Sequence, residues 1–238
     1  MEGEYRVSLF SIMMAAIAPG IALLIYFYLK DRYEPEPLHL VIKFFFLGVA
    51  IVFPLMIIQR TMVLGLGDSP YVFSFLTSAG VEEFAKWFII YHILYNHTEF
   101  DEPYDGILYT VALSLGFATL ENVLYALYNS MSVMSLLLRG LLPVSGHALF
   151  GVIMGDYIGK AKFTTTKRKR NIFLALGLIL PIFWHGLYDL ILHMMSQYWL
   201  WYIIPLMIVL WYGGMSKITR ASNRSPFRFI KREEEVNL

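Results

Sequence analysis

The 238-residue chain contains no cysteine, which excludes a disulfide framework, a thiolate metal site and a cysteine nucleophile. Charge is scarce as well: 16% of residues are Asp, Glu, Lys or Arg against 58% hydrophobic, and the net charge is +1. That is too little polar side chain to cover a soluble domain of this length. No internal repeat, no soluble second domain and no HExxH helix is present. The first apolar stretch lacks the basic flank and cleavage site of a signal peptide, so it is expected to stay as an uncleaved anchor.

What the chain does have is hydrocarbon. Apolar stretches long enough to cross about 30 Å of bilayer recur along it, and the expected fold is all-α, a polytopic transmembrane helix bundle of about seven spans. These run approximately over Val7–Leu29, His39–Ile58, Tyr71–Tyr95, Tyr104–Asn129, Met131–Ile158, Ile172–His193 and Tyr198–Tyr212. Lys and Arg stay on the cytoplasmic side of short loops. Lys30, Arg32 and Lys43 flank the first connection, Lys160, Lys162 and Lys167–Arg170 fill the fifth, and Lys217, Arg220, Arg224, Arg228, Lys231 and Arg232 crowd the end. Only Arg6, Arg60 and Arg139 oppose them, which predicts the N-terminus outside and the C-terminus inside. The acidic third connection, with Glu99, Asp101, Glu102 and Asp105, gives no vote. The expected organisation is a transmembrane domain over residues 1–213 and a basic cytoplasmic tail over 214–238. These basic residues suit anionic lipid head groups and not nucleic acid.

Ionisable groups inside such spans are the informative exceptions, because each costs roughly 2.5–3.5 kcal/mol to insert. The third span carries Glu82, Glu83 and Lys86. On a helix Lys86 shares a face with Glu82 at i, i+4 and reaches Glu83 at i, i+3, so it can pair with one carboxylate and leave the other for proton chemistry. The fourth span carries Glu121 beside Asn122. The fifth carries His147 among the small residues of Ser145–Gly151, with Leu142-Pro143 predicting a break or kink before it. The sixth sets His185 and Asp189 one turn apart, where a carboxylate fixes an imidazole tautomer or joins it on a metal. One buried ion pair or one polar helix contact explains any of these singly. Four successive spans each bearing such groups point to one shared site. With the predicted topology, Glu82, Glu121 and His185 lie roughly 12–16 Å below the outer surface.

Three glutamates, two histidines and an aspartate, without an evident Ser or Cys nucleophile, are a set for activating water. One carboxylate serves as general base, while imidazole or a metal stabilises the oxyanion formed on an amide. Glu121, His147 and His185 form a candidate zinc set with a fourth position for water, and a metal-free glutamate and histidine mechanism uses the same residues. The other open readings are a proton- or cation-coupled transporter and a nonenzymatic module that binds a membrane partner in the same groove.

The motifs Glu82-Glu83-Phe84-Ala85-Lys86, Phe117-Ala118-Thr119-Leu120-Glu121-Asn122, His147-Ala148-Leu149-Phe150-Gly151 and His185-Gly186-Leu187-Tyr188-Asp189, in that order, resemble those of the PrsW family of bacterial intramembrane proteases. The loop Asp31-Arg32-Tyr33-Glu34-Pro35-Glu36-Pro37 is similar too. The resemblance extends to the CAAX prenyl proteases, from whose pattern Lys86 and Glu121 depart, which disfavours a prenylated peptide. It implies a protease of the bacterial cell membrane whose substrate is a single-pass membrane protein. In the family's best-known role this is an anti-sigma factor, cut on its extracytoplasmic side in response to envelope stress. On that footing Glu82 is the expected base and Glu83 the partner of Lys86. Glu121 and His147 would position water or metal, and His185 with Asp189 would bind metal or stabilise the oxyanion.

Overall fold

Hydrocarbon offers the backbone no hydrogen-bonding partner, so apolar runs joined by short polar links must close their own hydrogen bonds as helices. The computed structural model describes residues 9–129, 133–195 and 197–228, and no strand occurs among them. Arg6, Lys231 and Arg232, and the expected start of the fifth span at Met131, lie outside the described residues. Helix α1 spans Leu9–Leu29 and α2 Leu38–Leu66. Helix α3 is the run 70–94, in which α-helical Pro70–Val72 and Ala79–Ile89 alternate with π-helical Phe73–Ser78 and Ile90–Leu94. Helix α4 spans Pro103–Tyr128. Helix α5 is the run 133–162, with a π-helical stretch Gly140–Val144 leading into Ser145–Lys162. Helices α6, Lys167–Met194, and α7, Trp199–Ser222, complete the described bundle.

Six of these helices are long and apolar enough to cross a membrane. Helix α3 is of similar length but carries Glu82, Glu83 and Lys86 near its middle, the charges that set it apart. The break or kink expected at Leu142-Pro143 takes the form of a π-helical stretch, Gly140–Val144, without interruption of the helix. Pro143 lacks an N–H and would crowd the carbonyl one α-turn back, and the wider π turn accommodates it while the helix continues. Helix α2 runs past its expected end at Ile58 to Leu66, a difference that matters at the site.

Helix α4 is the axis of the bundle, 83% buried over its most apolar stretch. Backbone meets backbone on two of its sides. A Cβ at Gly116 would lie 1.8 Å from the Phe45 carbonyl oxygen of α2, and one at Gly155 of α5 would lie 2.2 Å from the Gly106 carbonyl oxygen. Such approach is open only to glycine and lets α2 and α5 clasp α4 closely. Phe44, Phe45, Leu108, Tyr109, Ala112 and Val152 fill the interfaces in the largest buried apolar cluster.

Candidate active site

The seven ionisable residues singled out in the sequence converge where α3, α4, α5 and α6 meet. Glu82 and Glu83 share one turn of the α-helical part of α3 with Lys86 on the next, and all three are buried, Glu83 and Lys86 at 0% exposure. The Lys86 ammonium donates to Glu83 Oε1 at 2.8 Å and to His147 Nδ1 of α5 at 3.2 Å. It stands 3.7 Å from Glu82 Oε2 and 4.4 Å above the ring of Phe117 from α4. The adjacent carboxylates are thereby distinguished: Glu83 is the close partner of Lys86, and Glu82 is the distant one.

His185 of α6 lies with Nδ1 2.9 Å from Glu83 Oε1, a separation at which a ring N–H donates to a carboxylate. Its Nε2 then faces Glu82 Oε2 at 4.0 Å and Asp189 Oδ2 at 3.5 Å. The ring is stacked on Phe150 at 5.0 Å between centroids and meets His147 edge-on, also at 5.0 Å. Asp189 is fixed in turn by Ser78, whose hydroxyl donates to Oδ2 at 2.6 Å. Ser78 closes the π-helical stretch of α3.

His147 Nε2 lies 3.1 Å from Glu121 Oε2, and the Glu121 side chain is 34% exposed, which puts it on the rim of the cluster. Ligand atoms of Glu82, Glu83, His147 and His185 all lie within 4.8 Å of one another. Glu121 is not part of that compact group; it touches the group through His147. Glu82 Oε2 and Glu83 Oε2 are buried with no hydrogen-bond donor. Two imidazoles and one such carboxylate are a fitting donor set for zinc, which in catalytic sites takes three nitrogen and oxygen ligands and keeps a fourth position for water.

Three contributors escaped the sequence reading. Gln59 donates to Glu82 Oε1 at 3.0 Å, and it lies on α2 only because that helix continues beyond Ile58. Ser78 is an ordinary small polar residue in an apolar run. Arg139, counted from the sequence only as a basic charge on the outer side of the fifth span, lies on α5 and donates from Nε to Asn122 Oδ1 at 3.0 Å, while Asn122 donates to the Ala16 carbonyl at 2.8 Å. This links α1, α4 and α5 beside Glu121.

Comparison with known proteins agrees with the chemistry of this donor set. Residues 36–213 match the profile of the PrsW family intramembrane metalloproteases. The chain is 50% identical over 214 residues to Protease PrsW of Geobacillus kaustophilus (strain HTA426), covering 90% of this chain and 93% of that one. It is also 50% identical over 214 residues to Protease PrsW of Bacillus subtilis (strain 168), covering 90% and 96%. The chain belongs to the PrsW family. Identity to a more distant PrsW, that of Clostridioides difficile (strain 630), is 32% over 221 residues, covering 90% of this chain and 92% of the relative. No solved structure matches it. PrsW membership together with the apolar helices makes this a multi-pass bacterial membrane protein of a peptidase family.

Proposed function

We propose that this chain hydrolyses a peptide bond in a single-pass membrane protein, with Glu82 as the general base. The observation that carries the reading is the asymmetry of the glutamate pair. Glu83 is tied to Lys86 and His185, whereas Glu82 is steadied through Oε1 by Gln59 and keeps Oε2 without a donor. A carboxylate held by one oxygen and free at the other is positioned to take a proton from water. Glu83 accepts from Nδ1–H of His185, so Nε2 accepts from the reacting water when the ring is neutral and donates to the developing oxyanion only when the ring is doubly protonated. Asp189, held by Ser78, stands 3.5 Å from that same Nε2, and Glu121 orients His147 from the rim.

The same residues would hold a zinc ion: His147, His185 and a free carboxylate oxygen of the glutamate pair. When bound, it would supply Lewis acidity and lower the pKa of a coordinated water. Proton transfer to Glu82 and orientation of His185 by Glu83 are required with the ion or without it. The buried position of the group fits a bond presented within the bilayer or at its edge, and the basic residues favour an extracytoplasmic-side cut. An anti-sigma factor cleaved under envelope stress is the substrate class this reading favours.

The test uses purified protein and a membrane-anchored anti-sigma factor as substrate. Glu82→Gln and His185→Ala should each abolish cleavage while the substrate is still captured. Intact cleavage by both variants would remove the assignment, and loss of capture together with cleavage would favour a binding module. Elemental analysis before and after chelation, run beside the cleavage assay, decides the metal: a stoichiometric ion lost together with activity supports zinc, and full activity in metal-free protein rejects it.

A further inference from the structure

A second group of buried acids lies at the other end of the bundle, about 24 Å along α4 from Glu121 at 1.5 Å per residue. Asp31 and Glu36 come from the link between α1 and α2, where Pro35 and Pro37 restrict the backbone, and Asp105 comes from the first turn of α4. Their exposures are 8%, 4% and 0%, and that of neighbouring Glu102 is 1%. One carboxylate oxygen from each of Asp31, Glu36 and Asp105 falls within 4.8 Å of the others. Oxygens sharing one calcium ion at 2.3–2.6 Å each lie up to about 5 Å apart.

Helix capping explains part of this group but not all of it. Asp105 Oδ2 accepts the backbone N–H groups of Asp101 at 3.0 Å and Glu102 at 2.7 Å, completing the capping box of α4. Tyr109 donates its hydroxyl to Glu36 Oε2. Asp105 Oδ1, Glu102 Oε2 and both oxygens of Asp31 lack a donor in good hydrogen-bond geometry, although the Glu36 backbone N–H and the Glu102 carboxyl bear on Asp31. An aspartate more than nine-tenths buried, with neither oxygen in a well-formed hydrogen bond and other carboxylates beside it, carries a charge these contacts do not balance. Burial, followed by the Glu102 and Glu36 carboxylates, pushes the Asp31 carboxyl up to about 8.

We propose that Asp31, Glu36 and Asp105 bind a hard divalent cation, Mg²⁺ or Ca²⁺, that braces the link between α1 and α2 against the start of α4. All-oxygen donors select these ions over zinc. The site belongs to a different part of the molecule from the candidate active site and does not depend on the proteolytic reading.

The test takes full-length protein in detergent micelles, treats it with chelator, and titrates it with CaCl₂ and MgCl₂ by calorimetry while following Tm. One cation per chain should bind, and Tm should rise on the order of 5 °C at saturation. Both effects should persist in a His185→Ala background, which separates this site from any metal at the other group. Asp31→Asn combined with Glu36→Gln should lose them. Asp31→Asn alone keeps the side chain's shape, serves where the double variant does not fold, and should weaken binding at least tenfold. No binding by the wild type, or undiminished binding by Asp31→Asn, overturns the proposal and leaves shared protons as the means by which the cluster is neutralised.

Discussion

Replacing Lys86 by Met removes a buried ammonium while keeping a flexible side chain of similar length. The ammonium has 0% exposure and makes contacts of 2.8 Å to Glu83 and 3.2 Å to His147. Hydrogen bonds to charged groups contribute about 1.5–3 kcal/mol each, and breaking a buried ion pair from one side costs about 3–5 kcal/mol. His185 stays 2.9 Å from Glu83 Oε1 and compensates part of the loss, so the expected destabilisation is about 3 kcal/mol. For a chain of this size that corresponds to a fall in Tm of about 6–12 °C, measured on purified protein in detergent micelles. Lys86→Met combined with Glu83→Gln should recover at least half of the fall, because Gln carries no charge and its carbonyl still accepts from His185. A Lys86→Met protein as stable as the wild type, or a double variant no more stable than the single one, would refute the account of Lys86 as the counterion of Glu83.

Other substitutions probe the remaining parts. Gln59→Leu frees Glu82 Oε1 from its 3.0 Å donor; cleavage should drop about tenfold, worth ~1.4 kcal/mol, with Tm little changed, and initial rates check this. Gly116→Ala would push a methyl group to 1.8 Å from the Phe45 carbonyl and should cost about 1–3 kcal/mol or more by overpacking. Gly65→Ala, with nothing within 4 Å, should be neutral or stabilising by up to about 1 kcal/mol; paired Tm measurements compare the two glycines. Asp156 Oδ2 accepts from Lys160 at 2.7 Å and Lys217 at 2.5 Å, tying α5 to α7, so Asp156→Asn should lower stability by about 1–2 kcal/mol, an effect that shrinks in high salt.

The groups that stood out in the sequence did so because charge inside hydrocarbon is expensive, and the same cost draws Glu82, Glu83, Lys86, Glu121, His147, His185 and Asp189 together. Helical spacing limited Lys86 to two partners but could not choose between them. The choice rests on side-chain conformation and on His147 and His185 approaching from other helices. Gln59 and Ser78 were illegible because uncharged polar residues are common at span ends and in apolar helices. Asp31, Glu36 and Asp105 were illegible for a different reason: acids in loops resemble solvated ones, and their burial follows only from how the α1–α2 link folds onto α4. The π turns carry no sequence signature beyond Pro143.

The enclosed position of α4 also constrains biogenesis. With 83% of its apolar stretch covered by protein and contacts chiefly to α5 and α2, this helix has little surface of its own for lipid, and Thr110, Ser114 and Asn122 are buried within the bundle. A nascent chain halted after Asn129 would hold α4 in the bilayer against α1, α2 and α3, with the surface meant for α5 bare. Release of the rest of the chain is therefore a checkpoint in assembly, and truncated products ending between α4 and α5 should be cleared by membrane quality control while the full-length protein persists.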